Sequence, residues 1–206
     1  MIRYLDLRLS SPSPHSMGYF VPHSGVLRAV ELVSSSLAAL ASGERYFAFV
    51  YLHGPSGVGK THLINANSSL ALDMGLSLES FESSELDEAS FVRTYEQMRA
   101  GGGLLIVESA HIPSASSFSL HLSSRLLSAC AVELFYPSEE EFMPIFLSLL
   151  ERYDVRLSER CVRYMMRRLP LNPSVFASTI SRLSSISFSR RRPVGLGVLR
   201  ELLGGA

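Results

Sequence analysis

The stretch Tyr46-Phe47-Ala48-Phe49-Val50-Tyr51-Leu52-His53-Gly54-Pro55-Ser56-Gly57-Val58-Gly59-Lys60-Thr61-His62-Leu63 decides the fold. From Tyr46 to Leu52 it is an unbroken β-prone run, the pattern of a strand buried on both faces of a parallel sheet. From Gly54 to Thr61 it fits G-x-x-x-x-G-K-[ST], a loop whose chemistry is phosphate binding. Such a loop needs glycines because its backbone must bend until several amides face phosphate oxygens, at the positive end of the helix that follows. Gly54 and Gly59 supply that freedom, Lys60 sets a cation against the β and γ phosphates, and the Thr61 hydroxyl can ligate magnesium. The candidate nucleotide-binding residues are therefore Gly54, Pro55, Ser56, Gly57, Val58, Gly59, Lys60 and Thr61.

Strands and helices alternate outward from this loop. Apolar spacing over Val26–Leu40 predicts a leading helix closed by Gly43, and Thr61–Leu72 reads as the helix after the loop. Leu76–Phe81 reads as a second strand, Glu88–Met98 as a helix, Leu104–Val107 as a third strand, and Ala129–Tyr136 is a candidate fourth. This order predicts a three-layer αβα fold around a parallel sheet. After Pro137 the character changes. Ser138 and Glu141 form a capping-box signature, Pro144 is expected in or near the first turn, and further helices are expected from Ser158, from Asn172 with Pro173, and after Gly197. The expected organisation is a flexible peptide and linker over 1–17, a nucleotide-binding domain over 18–136 and a small all-helical lid over 137–206.

A phosphate site also needs an acid at the end of a neighbouring strand. Leu104-Leu105-Ile106-Val107 ends in Glu108 and Ser109, where a typical ATPase has two acids, the second polarising the attacking water. Glu108 can hold the magnesium shell beside Thr61, or it can take the second place with Val107 in the first. Either alignment leaves one carboxylate for two jobs, so binding with slow hydrolysis or none is expected. Arg125 is a candidate to reach a phosphate across a subunit interface. Arg160, Arg163 and Arg167, with Arg168 beside them, recur at helical spacing, and Arg190-Arg191-Arg192 adds a cluster. These are solvated faces by default and DNA-phosphate or acidic-partner contacts otherwise. His53, His62 and His111 flank the loop without metal-ligand spacing.

The chain's 206 residues carry a formal net charge of zero, so no overall field draws it to nucleic acid or to a membrane. Its two cysteines, Cys130 and Cys161, have no metal-ligand spacing and read as reduced thiols in or near the core. No signal-peptide pattern opens the sequence and no apolar run reaches membrane-spanning length, which predicts a cytoplasmic protein.

The order of motifs resembles the AAA+ ATPases of the DnaA group, most closely the shortened Hda-type relatives. The likeness runs from about Gly18 to Leu203 and includes the His62-Leu63 pair after the loop threonine, which makes it more specific than a bare P-loop. The resemblance implies that Phe20 and Val21 line an adenine pocket, that His62 belongs to the nucleotide site, and that the ligand is ATP or ADP with Mg2+. It implies that Arg125, in Leu122-Ser123-Ser124-Arg125-Leu126, is an arginine finger and that Phe135-Tyr136-Pro137-Ser138 opens the lid. It further implies replication-initiation control, with DnaA as partner and the polymerase sliding clamp docked through Tyr4–Leu9, and possible homo-oligomers.

The sequence departs from the family's pattern at three places. Ser174 stands where the sensor-two arginine is expected, Ser109 stands beside Glu108, and only Ser109–Ser124 separates the third strand from Arg125, where a helix and the sensor-one strand normally fit. Either the helix is lost and Phe118–Leu122 forms a stunted strand, or both elements are missing. The alternatives in function are a phosphotransferase acting on a small acceptor and a helicase-loader-like accessory factor.

Overall fold

The computed structural model describes residues 20–43, 45–113, 118–190 and 194–204. The expected clamp-docking peptide Tyr4–Leu9 lies outside the described residues, as do Arg191 and Arg192. Four parallel strands, β1 (Phe47–His53), β2 (Leu78–Glu82), β3 (Gly103–Ser109) and β4 (Cys130–Glu133), form one sheet in the order β2-β3-β1-β4. The helices α1 (Leu27–Ala41), α2 (Lys60–Asp73), α3 (Glu88–Gly101) and α4 (Leu120–Leu127) cover it.

The central strands are apolar throughout because both faces are buried. Ala48, Val50 and Leu52 of β1 join Leu104 and Ile106 of β3 in a core packed against α1 and α2. The alternate residues Phe49, Tyr51, Leu105 and Val107 form the opposite core, with Phe91, Tyr95 and Met98 of α3 and Leu122 and Leu126 of α4. The period-two alternation of a strand thus splits one sequence run between two cores. On α1, the buried stripe of Ala29, Val33 and Leu37 follows the helical spacing expected of it.

β1 pairs with β3 along its whole length, from Phe47 opposite Gly103 to His53 opposite Ser109. β4 pairs only with Val50–His53. Ala129–Tyr136 therefore shortens to a four-residue strand: after the Leu134 amide reaches the His53 carbonyl, the Phe135 amide turns aside to Gly25. The second strand also sits further along than expected, at Leu78–Glu82.

Phe118–Leu122 does not form a stunted strand. Ser119 caps α4, accepting from the Leu122 amide at 3.2 Å, and the i, i+4 pair Leu122 and Leu126 is buried. Among the described residues neither a helix nor a strand stands between β3 and α4.

Helices α5 (Glu139–Arg152), α6 (Glu159–Arg168), α7 (Pro173–Arg190) and α8 (Leu196–Leu203) build the lid around a core of its own. The capping box is complete: the Ser138 hydroxyl accepts from the Glu141 amide, and the Glu141 carboxylate accepts from the Ser138 amide. Pro144 lies near the first turn, as expected, but just past it. It is the sixth residue of α5, in the second turn, on the exposed face. Glu140, whose carbonyl a Pro144 N–H would have bonded, is also exposed. The last helix starts at Leu196 with Gly195 as its N-cap, two residues earlier than expected after Gly197. Cys161 is buried, but Cys130 is exposed, because it opens the edge strand rather than a central one. The arginines 160, 163 and 167 of α6 are all exposed. Among the described residues no helix is long and apolar enough to cross a membrane.

Candidate nucleotide-binding site

The loop from Gly54 to Gly59 joins the end of β1 to the start of α2. Its glycines sit at φ values of 146° (Gly54), 79° (Gly57) and 110° (Gly59), which L side chains rarely adopt. Two of them are also fixed by close approach. A Cβ on Gly54 would overlap the Leu134 carbonyl, and one on Gly57 would overlap Asn172 and Ser174 of the lid. Gly59 caps α2 in the left-handed conformation, so the first amides of the helix open toward the loop.

Lys60 opens α2, and its Nζ donates to the carbonyls of Gly54 at 2.7 Å and Pro55 at 3.0 Å. Burial pulls its ammonium below the usual lysine range, while Glu108 and Glu82 oppose that shift. The next residue, Thr61, donates its hydroxyl to Glu108 Oε2 at 2.8 Å. Residues 47 positions apart, both expected at a magnesium ion, are thus brought into direct contact. Burial raises the Glu108 pKa above the ordinary carboxyl value; the Thr61 hydrogen bond lowers it, Glu82 raises it and Lys60 lowers it.

Glu82 was not evident from the sequence. It ends β2 in register with Glu108 of β3, and both line the same cavity. Two carboxylates on adjacent strand ends, one held by a threonine hydroxyl, form a donor set that suits a hard divalent cation. The signal that could have found Glu82 is its place at a strand end, visible only once the β2–β3 register is known. Val107 has no exposed surface and belongs to the core, so it takes no place in the site. Ser109 does line the cavity; its Oγ accepts from the Ser83 hydroxyl at 2.8 Å and from the His111 amide at 3.2 Å.

The cavity encloses about 700 Å³ between the sheet domain and the lid. One side holds loop residues 56–60, Thr61, Glu82 and Glu108. Phe20, Val21, Ile145, Leu149 and Ala177 add an apolar lining, with the Phe20 ring edge-on to His62 at 5.4 Å. His62 therefore lies in the site, although its spacing alone gave it no role. Gly54 and Pro55 shape the loop without lining the cavity. Ser174, at the start of α7, lines the cavity where an arginine was expected. A different lid cation is present instead: Arg152 lies on the same α5 face as Ile145 and Leu149, at i+7 and i+3 from them, which is the pattern that could have revealed it.

Among the described residues, polar contacts tie the lid to the sheet domain. Glu141 accepts from the Ser24 amide at 2.7 Å and from its hydroxyl at 3.0 Å. Hydrogen bonds from the Ser138 and Ser24 amides hold its carboxyl well below the usual range, at about 2. At the loop, the Tyr136 hydroxyl donates to the Ser56 carbonyl at 2.6 Å, and Asn172 Nδ2 donates to Tyr136 Oη at 3.1 Å and to the Ser56 carbonyl at 3.4 Å.

Arg125 lies outside this cavity. It pairs with Glu96 at 2.7 Å, donates to the His121 carbonyl at 3.1 Å and sits 5.5 Å from the centre of the Tyr95 ring. There it borders a separate cleft at the other end of β1, together with Tyr46 and Phe47. The structure thus unites Thr61, Glu108, Phe20, Val21 and His62 in one site and leaves Arg125 apart from it.

The sheet, the glycine loop and the helical lid define a three-layer α/β fold of the AAA+ type. No protein-family model matches the chain, and no curated protein matches it. In structure it is similar to domain III of the replication initiation protein DnaA from Thermotoga maritima, with a TM-score of 0.76 and 18% identity over 94% of this chain and 97% of that one. It is also similar to AMPPCP-bound DnaA from Aquifex aeolicus, with a TM-score of 0.67 and 16% identity over 86% of this chain and 67% of that one. The Thermotoga maritima RuvB Holliday junction branch migration motor gives a TM-score of 0.59 and 16% identity over 91% of this chain and 70% of that one.

Proposed function

We propose that this chain is a DnaA-like AAA+ protein that binds an adenine nucleotide with Mg2+ and holds it with little turnover, as a nucleotide-dependent switch in the control of replication initiation. The observation that carries the reading is the joining of Lys60, Thr61 and Glu108 in one cavity that also has an apolar lining suited to a base. Within it, the amides of the loop and Lys60 take the phosphates. Thr61 and Glu108, with Glu82 beside them, take the metal, whose contribution is to neutralise phosphate charge. Phe20, Val21 and Leu149 flank the base.

Slow hydrolysis follows from what faces the phosphate end. Ser109 stands beside Glu108, and a hydroxyl is a poor proton acceptor at neutral pH. Ser174 brings no charge to the transferring phosphate. Calorimetric titration with ADP and with Mg-ATP tests the reading: saturable one-to-one binding of both is expected, and binding of neither would end it.

A second reading concerns what the switch acts on. An arginine that serves a neighbour's nucleotide must be remote from its own, and Arg125 is. Its pair with Glu96 is partly exposed, and such pairs contribute only about 0–1 kcal/mol, so a neighbour's phosphate can compete for it. On this reading Arg125 acts in trans on ATP held by a DnaA-type partner at the sliding clamp, where such arginines are worth large rate factors. Arg125→Ala should then abolish stimulation of the partner's ATPase; undiminished stimulation removes the role.

A further inference from the structure

Three segments far apart in the chain meet at one carbonyl, that of Ser56. Tyr136, from the turn after β4, and Asn172, at the start of α7, both donate to it, and Asn172 also donates to the Tyr136 hydroxyl oxygen. Neither Tyr136 nor Asn172 lines the nucleotide cavity, whereas Ser56 and Gly57 do. The Ser56 carbonyl is therefore turned out of the cavity. A planar trans peptide carries its N–H on the edge opposite its carbonyl, and no cis peptide interrupts the described chain. Fixing the Ser56 oxygen outward thus aims the Gly57 N–H inward, at the space a phosphate would fill.

Asn172 does this while performing a second task. Its Oδ1 accepts from the amides of Ser174 at 2.9 Å and Val175 at 3.3 Å, capping α7. One side chain thus carries both the helix cap of the lid and a hold on the phosphate loop. Gly57 lets the two approach, since any Cβ there would overlap Asn172.

We propose that Tyr136 and Asn172 are positioning residues that clip the phosphate loop to the lid and preset the Gly57 amide for phosphate. The proposal rests on the nucleotide-binding reading and adds its regulation: seating of the lid sets the loop's affinity for phosphate, and a bound phosphate in turn favours the seated lid. Such reciprocity is required of any two coupled equilibria.

The test is the double variant Tyr136→Phe with Asn172→Ser in the full chain. Serine retains a capping oxygen for α7, and phenylalanine retains the ring, so what is lost is the two hydrogen bonds to Ser56 and the one between Asn172 and Tyr136. Two readouts are taken, ADP affinity by calorimetry and hydrogen exchange of peptides covering 55–60 and 142–149. Two lost hydrogen bonds predict about a tenfold fall in ADP affinity. Exchange over 55–60 should quicken, while that over 142–149 in the lid core stays as in the parent. ADP affinity within twofold of the parent overturns the proposal, as does equal quickening in both peptides, which would reflect lid unfolding alone. If the parent itself binds no ADP, the nucleotide reading fails, and the exchange over 55–60 still decides the clip.

Discussion

Lys60→Ala should weaken ADP and ATP binding ten- to hundredfold. A charge-assisted hydrogen bond is worth roughly 1.5 to 3 kcal/mol, which converts to about that range in affinity. The effect belongs to binding rather than to folding. Lys60 Nζ bonds two loop carbonyls, those of Gly54 and Pro55, and neither tie joins the sheet to the lid. Its ammonium is already drawn below the usual range by burial, so a phosphate would meet a partly desolvated cation. Calorimetry should find the loss with an unchanged melting temperature, and equal affinity in variant and parent would contradict the assignment of the loop.

Phe176→Ala should produce the largest loss of stability, confined to the lid. The side chain is fully buried, with ring centroids 4.7 Å from Phe142 and 5.3 Å from Phe146. Phenylalanine-to-alanine changes in a core cost about 3–5 kcal/mol, against a total of about 5–15 kcal/mol for a domain. The lid core is a cluster separate from the two that flank the sheet, so the sheet should survive the loss. Hydrogen exchange should quicken over 142–149 and 176–183 and remain slow over 48–52 and 104–107. Uniform quickening would mean that lid and sheet unfold as one unit. Nucleotide affinity should fall as well, since Ile145, Leu149 and Ser174 line the cavity from lid helices.

Much of this was legible in the sequence, for physical reasons. A strand buried on both faces has no polar alternation, so Tyr46–Leu52 and Leu104–Val107 announce a parallel sheet whatever surrounds them. The glycine loop is legible because its backbone tolerates few residues, and the capping box because its partners are three residues apart. What depends on register or on long-range packing was not legible. Glu82 reaches the site only through its pairing opposite Glu108. Arg152 lies in the cavity because α5 turns one face toward the sheet domain. The Ser56–Tyr136 and Ser56–Asn172 contacts span 80 and 116 residues, and no local pattern records them. Phe118–Leu122 suggested a stunted strand because its apolar residues alternate, and the Ser119 cap starts a helix there instead.

Retention of the triphosphate is the central claim, and single-turnover phosphate release from the Mg-ATP complex measures it directly. With Ser109 and Ser174 at the phosphate end, the bound nucleotide should be recovered as intact ATP. Release should be no faster than about 10⁻³ s⁻¹, the scale of an unassisted P-loop GTPase. Release at about 1 s⁻¹ or faster by the isolated chain would make it a working ATPase and contradict the account.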